Sequence, residues 1–340
     1  MSSAELAFEY FTAALETTRG TAIAAPTHYF PLMGTVTPQR TKYRPDEARG
    51  TKFRNYREKT TRAGSEWSAE GAADPNYLPF ILNLAVKAVA SPTTPADAVL
   101  SRLWTFTPTG TTDDLKTATL FTGDPNVKIW KTAHAMVQTL TIESDAGSED
   151  GVTMSLDGVG KFPADISAPT LPSQAPGSIL VPGAMQMWLD VGEDDIGTTE
   201  ITGRFLSTSW EIPTGVTPKY YAQGPGNDLS FTRVGIEKIE PKAEVTVELN
   251  DASFTAEYTY FEDDTPVKLR IRLNGDKIET EAATDFYEYI ELDIYGTLGE
   301  FSWEEVEGVN RAMHFEIMGI YDTTLGAPYS IKVQNAKATL

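Results

Sequence analysis

Histidine is the side chain best suited to acid–base or metal chemistry near neutral pH, and this chain has three, His28, His134 and His314. They lie far apart, without metal-ligand spacing, and each reads as a structural or surface residue. Gly158-Val159-Gly160-Lys161 lacks the spacing and the following Ser or Thr of a phosphate-binding loop, so it reads as a turn. No Gly-x-Ser-x-Gly elbow presents a nucleophile. Glu193-Asp194-Asp195 and Glu262-Asp263-Asp264 offer oxygens of the kind calcium binds, but neither has the calcium-loop pattern, and both read as solvated turns. With 48 carboxylates, pairing any two as acid and base is arbitrary. The absence of cysteine removes thiolate nucleophiles, thiolate metal sites and disulfides together. No catalytic, cofactor-binding or metal site is assigned, and the expectation is a protein that is not an enzyme.

A chain of 340 residues is long enough for two domains that bury cores without covalent staples. The start has no basic region followed by an apolar core and a small-residue cleavage site, so synthesis and use in a cytoplasm are expected. The longest apolar run, Tyr77 to Ala90, is interrupted by Pro79, Asn83 and Lys87 and falls short of the ~20 residues of a membrane span, so a soluble protein is expected. Net charge is −20 and uneven: residues 1–170 hold 16 basic and 19 acidic residues, and residues 171–340 hold 12 and 29, giving −3 and −17. Such a surface repels nucleic-acid backbone, whose binding depends on Lys and Arg neutralising phosphates.

The elements that must position any site are mostly strands. Apolar and polar residues alternate in Val152–Leu156, Val245–Leu249, Lys268–Leu273, Ile290–Ile294 and Ser330–Val333, the period of strands with one buried face. Abundant Thr suits half-buried pleated surfaces. One helix is signalled over Asp74 to Ala90, with Asp74 as cap, Pro75 at the first position and Leu78, Ile81, Leu82, Ala85, Val86 and Val89 at helical spacing before Ser91-Pro92. Leu6 to Leu15 fits strand or helix. Five prolines between Pro163 and Pro182 mark an extended connector. The reading is mainly β: a first domain over 1–165 with a flanking helix, a Pro-rich linker over 166–182 and an acidic second domain over 183–340, the two strand-rich halves suggesting duplication.

Residues 40–62 hold nine of the 28 basic residues, Arg40, Lys42, Arg44, Arg49, Lys52, Arg54, Arg57, Lys59 and Arg62, offset by Asp46, Glu47 and Glu58. Few apolar anchors accompany them, so the stretch reads as a long loop or protruding hairpin. Glu237 to Glu307 holds 20 acidic and six basic residues. Self-association through complementary charge follows.

Glu16-Thr17-Thr18-Arg19-Gly20-Thr21-Ala22, then Phe30-Pro31-Leu32, then Arg44-Pro45-Asp46-Glu47-Ala48-Arg49-Gly50, resembles the start of tail tube proteins of long, flexible-tailed bacteriophages. The resemblance is most specific over residues 12–66 and extends loosely over the chain through strand order. It tips Leu6 to Leu15 to strand. It implies a structural virion protein, two tandem tube-like β-sandwich domains, and rings stacked into the conduit for DNA ejection. In that family a β-sandwich flanked by a helix gives a sheet to a barrel around the lumen, and a long loop reaches the next ring. By position, Asp74 to Ala90 matches the helix and residues 34–66 the loop, making the nine basic residues inter-ring contacts. A tape-measure protein and a tail terminator are the implied partners, and DNA passes without specific binding. With six tube domains per ring, a two-domain chain closes a pseudo-sixfold ring as a trimer; a hexamer carrying the second half as an outward decoration is the other ring.

Six tryptophans, Trp67, Trp104, Trp130, Trp188, Trp210 and Trp303, keep a second reading open, a carbohydrate- or receptor-binding protein of a tail tip or fibre. Each sits beside alternating apolar residues, the setting of a core tryptophan. A glycosidase would require two opposed carboxylates in a cleft.

Overall fold

Alternating apolar residues build strands here because each strand buries one face and leaves the other wet. The computed structural model describes residues 9–47, 57–173, 177–192, 194–222, 224, 229–249, 251–305 and 311–340. In chain order the first half contains β1 (Tyr10–Leu15), β2 (His28–Phe30), β3 (Met33–Tyr43), β4 (Lys59–Ala72), α1 (Leu78–Ala85), β5 (Arg102–Phe106), β6 (Ala118–Asp124), β7 (Lys128–Asp145), β8 (Thr153–Gly160) and β9 (Ala164–Ile166). The second contains β10 (Met185–Val191), β11 (Phe205–Pro213), β12 (Val216–Lys219), β13 (Arg233–Ile236), β14 (Lys242–Glu248), α2 (Asp251–Glu262), β15 (Val267–Glu281), β16 (Thr284–Glu305), β17 (Arg311–Gly319) and β18 (Tyr329–Asn335). The fold is mainly β, and its strand pairs are antiparallel.

Two long strands organise it. The N-terminal part of β7 pairs with β6, which continues to β1 and β2; its C-terminal part pairs with β8 on one side and β11 on the other. Likewise the N-terminal part of β16 lies between β15 and β18, and its C-terminal part pairs with β17. Each long strand carries a β-bulge after the change of partner, between Val137 and Thr139 and between Leu298 and Phe301. One hydrogen-bonded path results, β3-β4-β8-β7-β11-β14-β17-β16. With β5 of the first half and the β12–β13 pair of the second set aside, the order of two paired strands, helix, strand, long bent strand and strand occurs twice, as β3-β4-α1-β6-β7-β8 and as β11-β14-α2-β15-β16-β17.

The halves are not closed off from one another. β5 leaves the first half to pair with β18, and β7 joins β11 edge to edge. A single core runs through both, including Phe11, Trp67, Trp104, Leu140 and Ile142 with Trp210, Leu269, Ile294, Phe315 and Ile331. Phe11 of β1 and Trp67 of β4 pack across the two sheet layers with ring centroids 6.2 Å apart.

Several local expectations change. The helix is shorter than Asp74 to Ala90, running from Leu78 to Ala85 with Pro79 in its first turn. Asp74 caps the preceding turn instead, its Oδ1 accepting the Asn76 N–H at 2.8 Å. Gly158 and Gly160 belong to β8 rather than a turn: a Cβ on Gly158 would stand 2.3 Å from the Trp67 ring and from the Met136 carbonyl, so glycine lets the indole lie flat on the strand. Trp67 Nε1 donates to the Val159 carbonyl at 3.2 Å. The Pro-rich connector carries the short β9; its described residues 167–173 and 177–181 are irregular, and a single turn forms at Pro182–Ala184. It is tied down where Val181 N–H donates to the Asn274 carbonyl. Among the described residues, no helix is long and apolar enough to cross a membrane.

Candidate functional site

The eight-strand path turns one face to the main core and the other largely to solvent, except where Met136 and Val159 on that second face are buried with Leu115 and Val216. Because directly opposed residues of antiparallel strands share a face, the solvent face reads in rows. Thr35, Ser68, Asp157 and Thr139 form one, and Glu70, Ser155, Thr141, Glu211, Lys242 and Met318 the next. Thr153, Glu143, Ser209, Glu244 and Glu316 form a third, and Asp145, Ser207, Thr246, His314 and Ser302 a fourth. Glu66 stands opposite Thr37. Small hydroxyls alternate with eight carboxylates, those of Glu66, Glu70, Glu143, Asp145, Asp157, Glu211, Glu244 and Glu316. One ammonium answers them: Lys242 Nζ lies 3.0 Å from Glu244, 3.3 Å from Glu211 and 3.4 Å from Glu316. The hydrogen bond from Lys242 to Glu244, with Glu211 next, holds the lysine above its ordinary pKa. A groove of about 310 Å³ crosses this face over Glu143, Asp145, Ser209, Glu244, Thr246 and His314. Sequence alternation shows which residues of one strand share a face; only the strand order brings these together.

At one margin of the face stands the basic hairpin β3–β4. Its strands extend to Tyr43 and Lys59, past the end of β8, whose pairing with β4 begins at Ser65. Glu58 accepts from both Lys42 and Arg44, the latter at 2.8 Å, and these bonds, Lys42 first, lower its pKa. Arg57 Nε lies 2.6 Å from Glu47. Arg40 places its guanidinium 4.3 Å from the centroid of Phe162, and Arg62 lies 5.1 Å from that of Tyr220. Lys59 is exposed opposite Tyr43. Arg49, Lys52 and Arg54 lie outside the described residues. The described cations of the expected docking segment are thus arrayed on one ribbon, and Lys42, Arg44 and Arg57 pair with carboxylates of the same ribbon.

The opening motif has a structural role. Glu16 is 5 % exposed, and its carboxylate accepts from Gly20 N–H at 2.6 Å, Thr117 Oγ1 at 2.6 Å, Thr119 Oγ1 at 3.0 Å and His134 N–H at 2.8 Å. It joins the turn after β1 to β6 and to the bend of β7. Gly20 has φ +77° and faces the His134 ring, where a Cβ would come within 2.9 Å of Nδ1. Arg19 closes the turn from outside, bonding Asp113 and the Leu115 carbonyl.

His134 is buried with φ +54°, and burial pushes its imidazole down to about 4, with Lys161 and Arg19 adding to the effect. His28 is also lowered to about 4 by burial and packs against Phe80. His314 lies on the polar face, 3.3 Å from Thr246. Among the described residues, no group of three or more His, Asp or Glu is placed to hold a metal ion. Asp194 and Asp195 lie in a turn, Glu193 lies outside the described residues, and Glu262 to Asp264 end α2. Trp67, Trp104 and Trp210 are core, Trp130 and Trp188 half-buried, and Trp303 is 49 % exposed.

A scan against protein-family models finds no match for this chain, and a search of curated proteins finds none either.

Proposed function

We propose that the chain is a ring-forming subunit of a tube, with its carboxylate-bearing sheet face turned to the bore, in the manner of the phage tail tube proteins that it resembles most specifically over residues 12–66. The observation that carries this reading is the single sheet path crossing both halves, with one face mostly polar apart from the buried patch of Met136 and Val159, and ending in two edges, β3 and the C-terminal part of β16. Among the described residues neither edge has a second neighbour. A heterologous contact between such edges closes a ring when the rotation allows and removes both edges at once. The twofold repeat of strand order supports two equivalent units per chain, so three copies make a pseudo-sixfold ring. The alternating Ser, Thr, Asp and Glu rows suit a passage for DNA: they repel phosphate, and the ammonium of Lys242 among them is already held by Glu211, Glu244 and Glu316. The ribbon carrying Arg40 to Arg62 leaves the sheet and reaches the acidic surface of an adjacent ring. The virion tail is then the site of action, with assembly in the host cytoplasm. Sedimentation of the purified protein tests the proposal: fast-sedimenting polymers are expected, and a monomer at all concentrations would overturn it.

A further inference from the structure

The junction between the two halves is a copy, within one chain, of the junction between chains. The bulges of β7 and β16 align the repeated ladders residue by residue. Gly158 opposite Val137 corresponds to Ile317 opposite Leu298, and Leu156 opposite Leu140 to Phe315 opposite Phe301. Thr141 and Ile142 then correspond to Ser302 and Trp303. One strand further, Trp67 beside Gly158 corresponds to Ala243 beside Ile317, and at the next strand Val36 corresponds to Trp210. Faces agree throughout: Val36 and Trp210 are core, while Thr37 and Glu211 lie on the polar face.

Inside the chain β7 meets β11 with Ile142 opposite Trp210 and Thr141 opposite Glu211. Carried through the repeat, this pairing becomes one between β16 of one copy and β3 of the next. Resting on the ring reading above, we infer that the ring closes by antiparallel pairing of β3 with β16 of a second copy, Val36 opposite Trp303 and Thr37 opposite Ser302. An independent feature marks the same place. Ile142, which has β11 beside it, is fully buried, whereas its counterpart Trp303, where β16 has β17 on one side and no second strand among the described residues, is 49 % exposed. Pro38 brings no N–H to the new ladder, so pairing ends there and the basic ribbon beyond it is released from the ring.

The chain has no cysteine, which makes disulfide trapping clean. Thr37 and Ser302 are both exposed, so T37C/S302C keeps the core intact. Opposed antiparallel residues have Cα atoms about 4.5–5.5 Å apart, within disulfide reach, whereas T35C/S302C places them about 7–8 Å apart. Oxidised T37C/S302C assemblies should show two- and three-chain bands on a non-reducing gel, with the T35C pair trapped several-fold less. Amide exchange of the unmodified chain should slow at 35–37 and 301–303 on assembly. Equal or better trapping of the T35C pair would overturn the register. Tubes without trapping by T37C/S302C would overturn the junction and leave the tube reading standing. An unmodified chain that stays monomeric, with no trapping in the variant, would overturn both.

Discussion

Replacing Glu16 probes the hub beneath the opening motif. Four donors converge on its carboxylate, two on each oxygen: Gly20 N–H and Thr117 Oγ1 on Oε2, Thr119 Oγ1 and His134 N–H on Oε1. In Glu16→Ala the two hydroxyls can turn to other acceptors, but the two backbone N–H groups cannot. Hydrogen bonds to a charged acceptor contribute about 1.5–3 kcal/mol each and are not additive within one network, so the two fixed donors and the cavity together should cost about 4 kcal/mol. For a chain of this size that corresponds to a fall in Tm of roughly 6 °C. Glu16→Gln keeps one accepting oxygen and turns an NH₂ toward one pair of donors; the cost should be about half. Thermal and denaturant unfolding followed by circular dichroism measure both. Glu16→Ala within ~1 kcal/mol of the parent, or Glu16→Gln as damaging as Glu16→Ala, would refute the reasoning from oxygen and donor counts.

Three further outcomes are expected. Reversing Arg44, Arg49, Arg54 and Arg57 to Glu should leave folded subunits that do not elongate, since exposed pairs of ~0.2–1 kcal/mol each repeat around every ring; long tubes from this variant in the microscope would exclude the ribbon as the docking element. Tubes should show no binding of duplex DNA at physiological salt, where screening acts over ~8 Å, and a submicromolar dissociation constant by fluorescence anisotropy would reverse the assignment of the carboxylate face. His134 has a folded pKa of about 4, below its unfolded value, so its contribution is complete above pH ~6.5 and is lost as pH falls toward 4. Asn tolerates the positive φ of this position. His134→Asn should therefore flatten the decline of Tm over that window, and an unchanged slope would contradict it.

Periodicity made several strands legible, because the alternation in Val245–Leu249, Lys268–Leu273 and Ile290–Ile294 is the pattern of a half-buried strand, and β14, β15 and β16 lie there. Leu6 to Leu15 resolved as β1 over its latter part. What failed was non-local or weakly patterned. α2 escaped notice because Thr, Ala and Glu dilute its apolar stripe; Tyr258 and Phe261, each 5.5 Å from the Phe301 ring, were its available signal. Nothing local in Arg102–Phe106 announces a partner more than 200 residues away in β18. Gly158 and Gly160 suggest a turn until the Trp67 ring is seen to need the missing side chain of Gly158. The clustering of basic residues on one segment was visible in the sequence, while their pairing with Glu47 and Glu58 depends on the register of the ribbon. Trp303 looks like core by its neighbours, but among the described residues the C-terminal part of its strand has a partner strand on one side only.

In the proposed tube, two repeated units per chain pair edge to edge around a bore. Class-averaged cross-sections of the tubes by electron microscopy test it most directly. The account predicts three chains per ring, with six similar sheet units alternating in two kinds around the lumen. Strict sixfold density with one chain per sixth of the ring would contradict it.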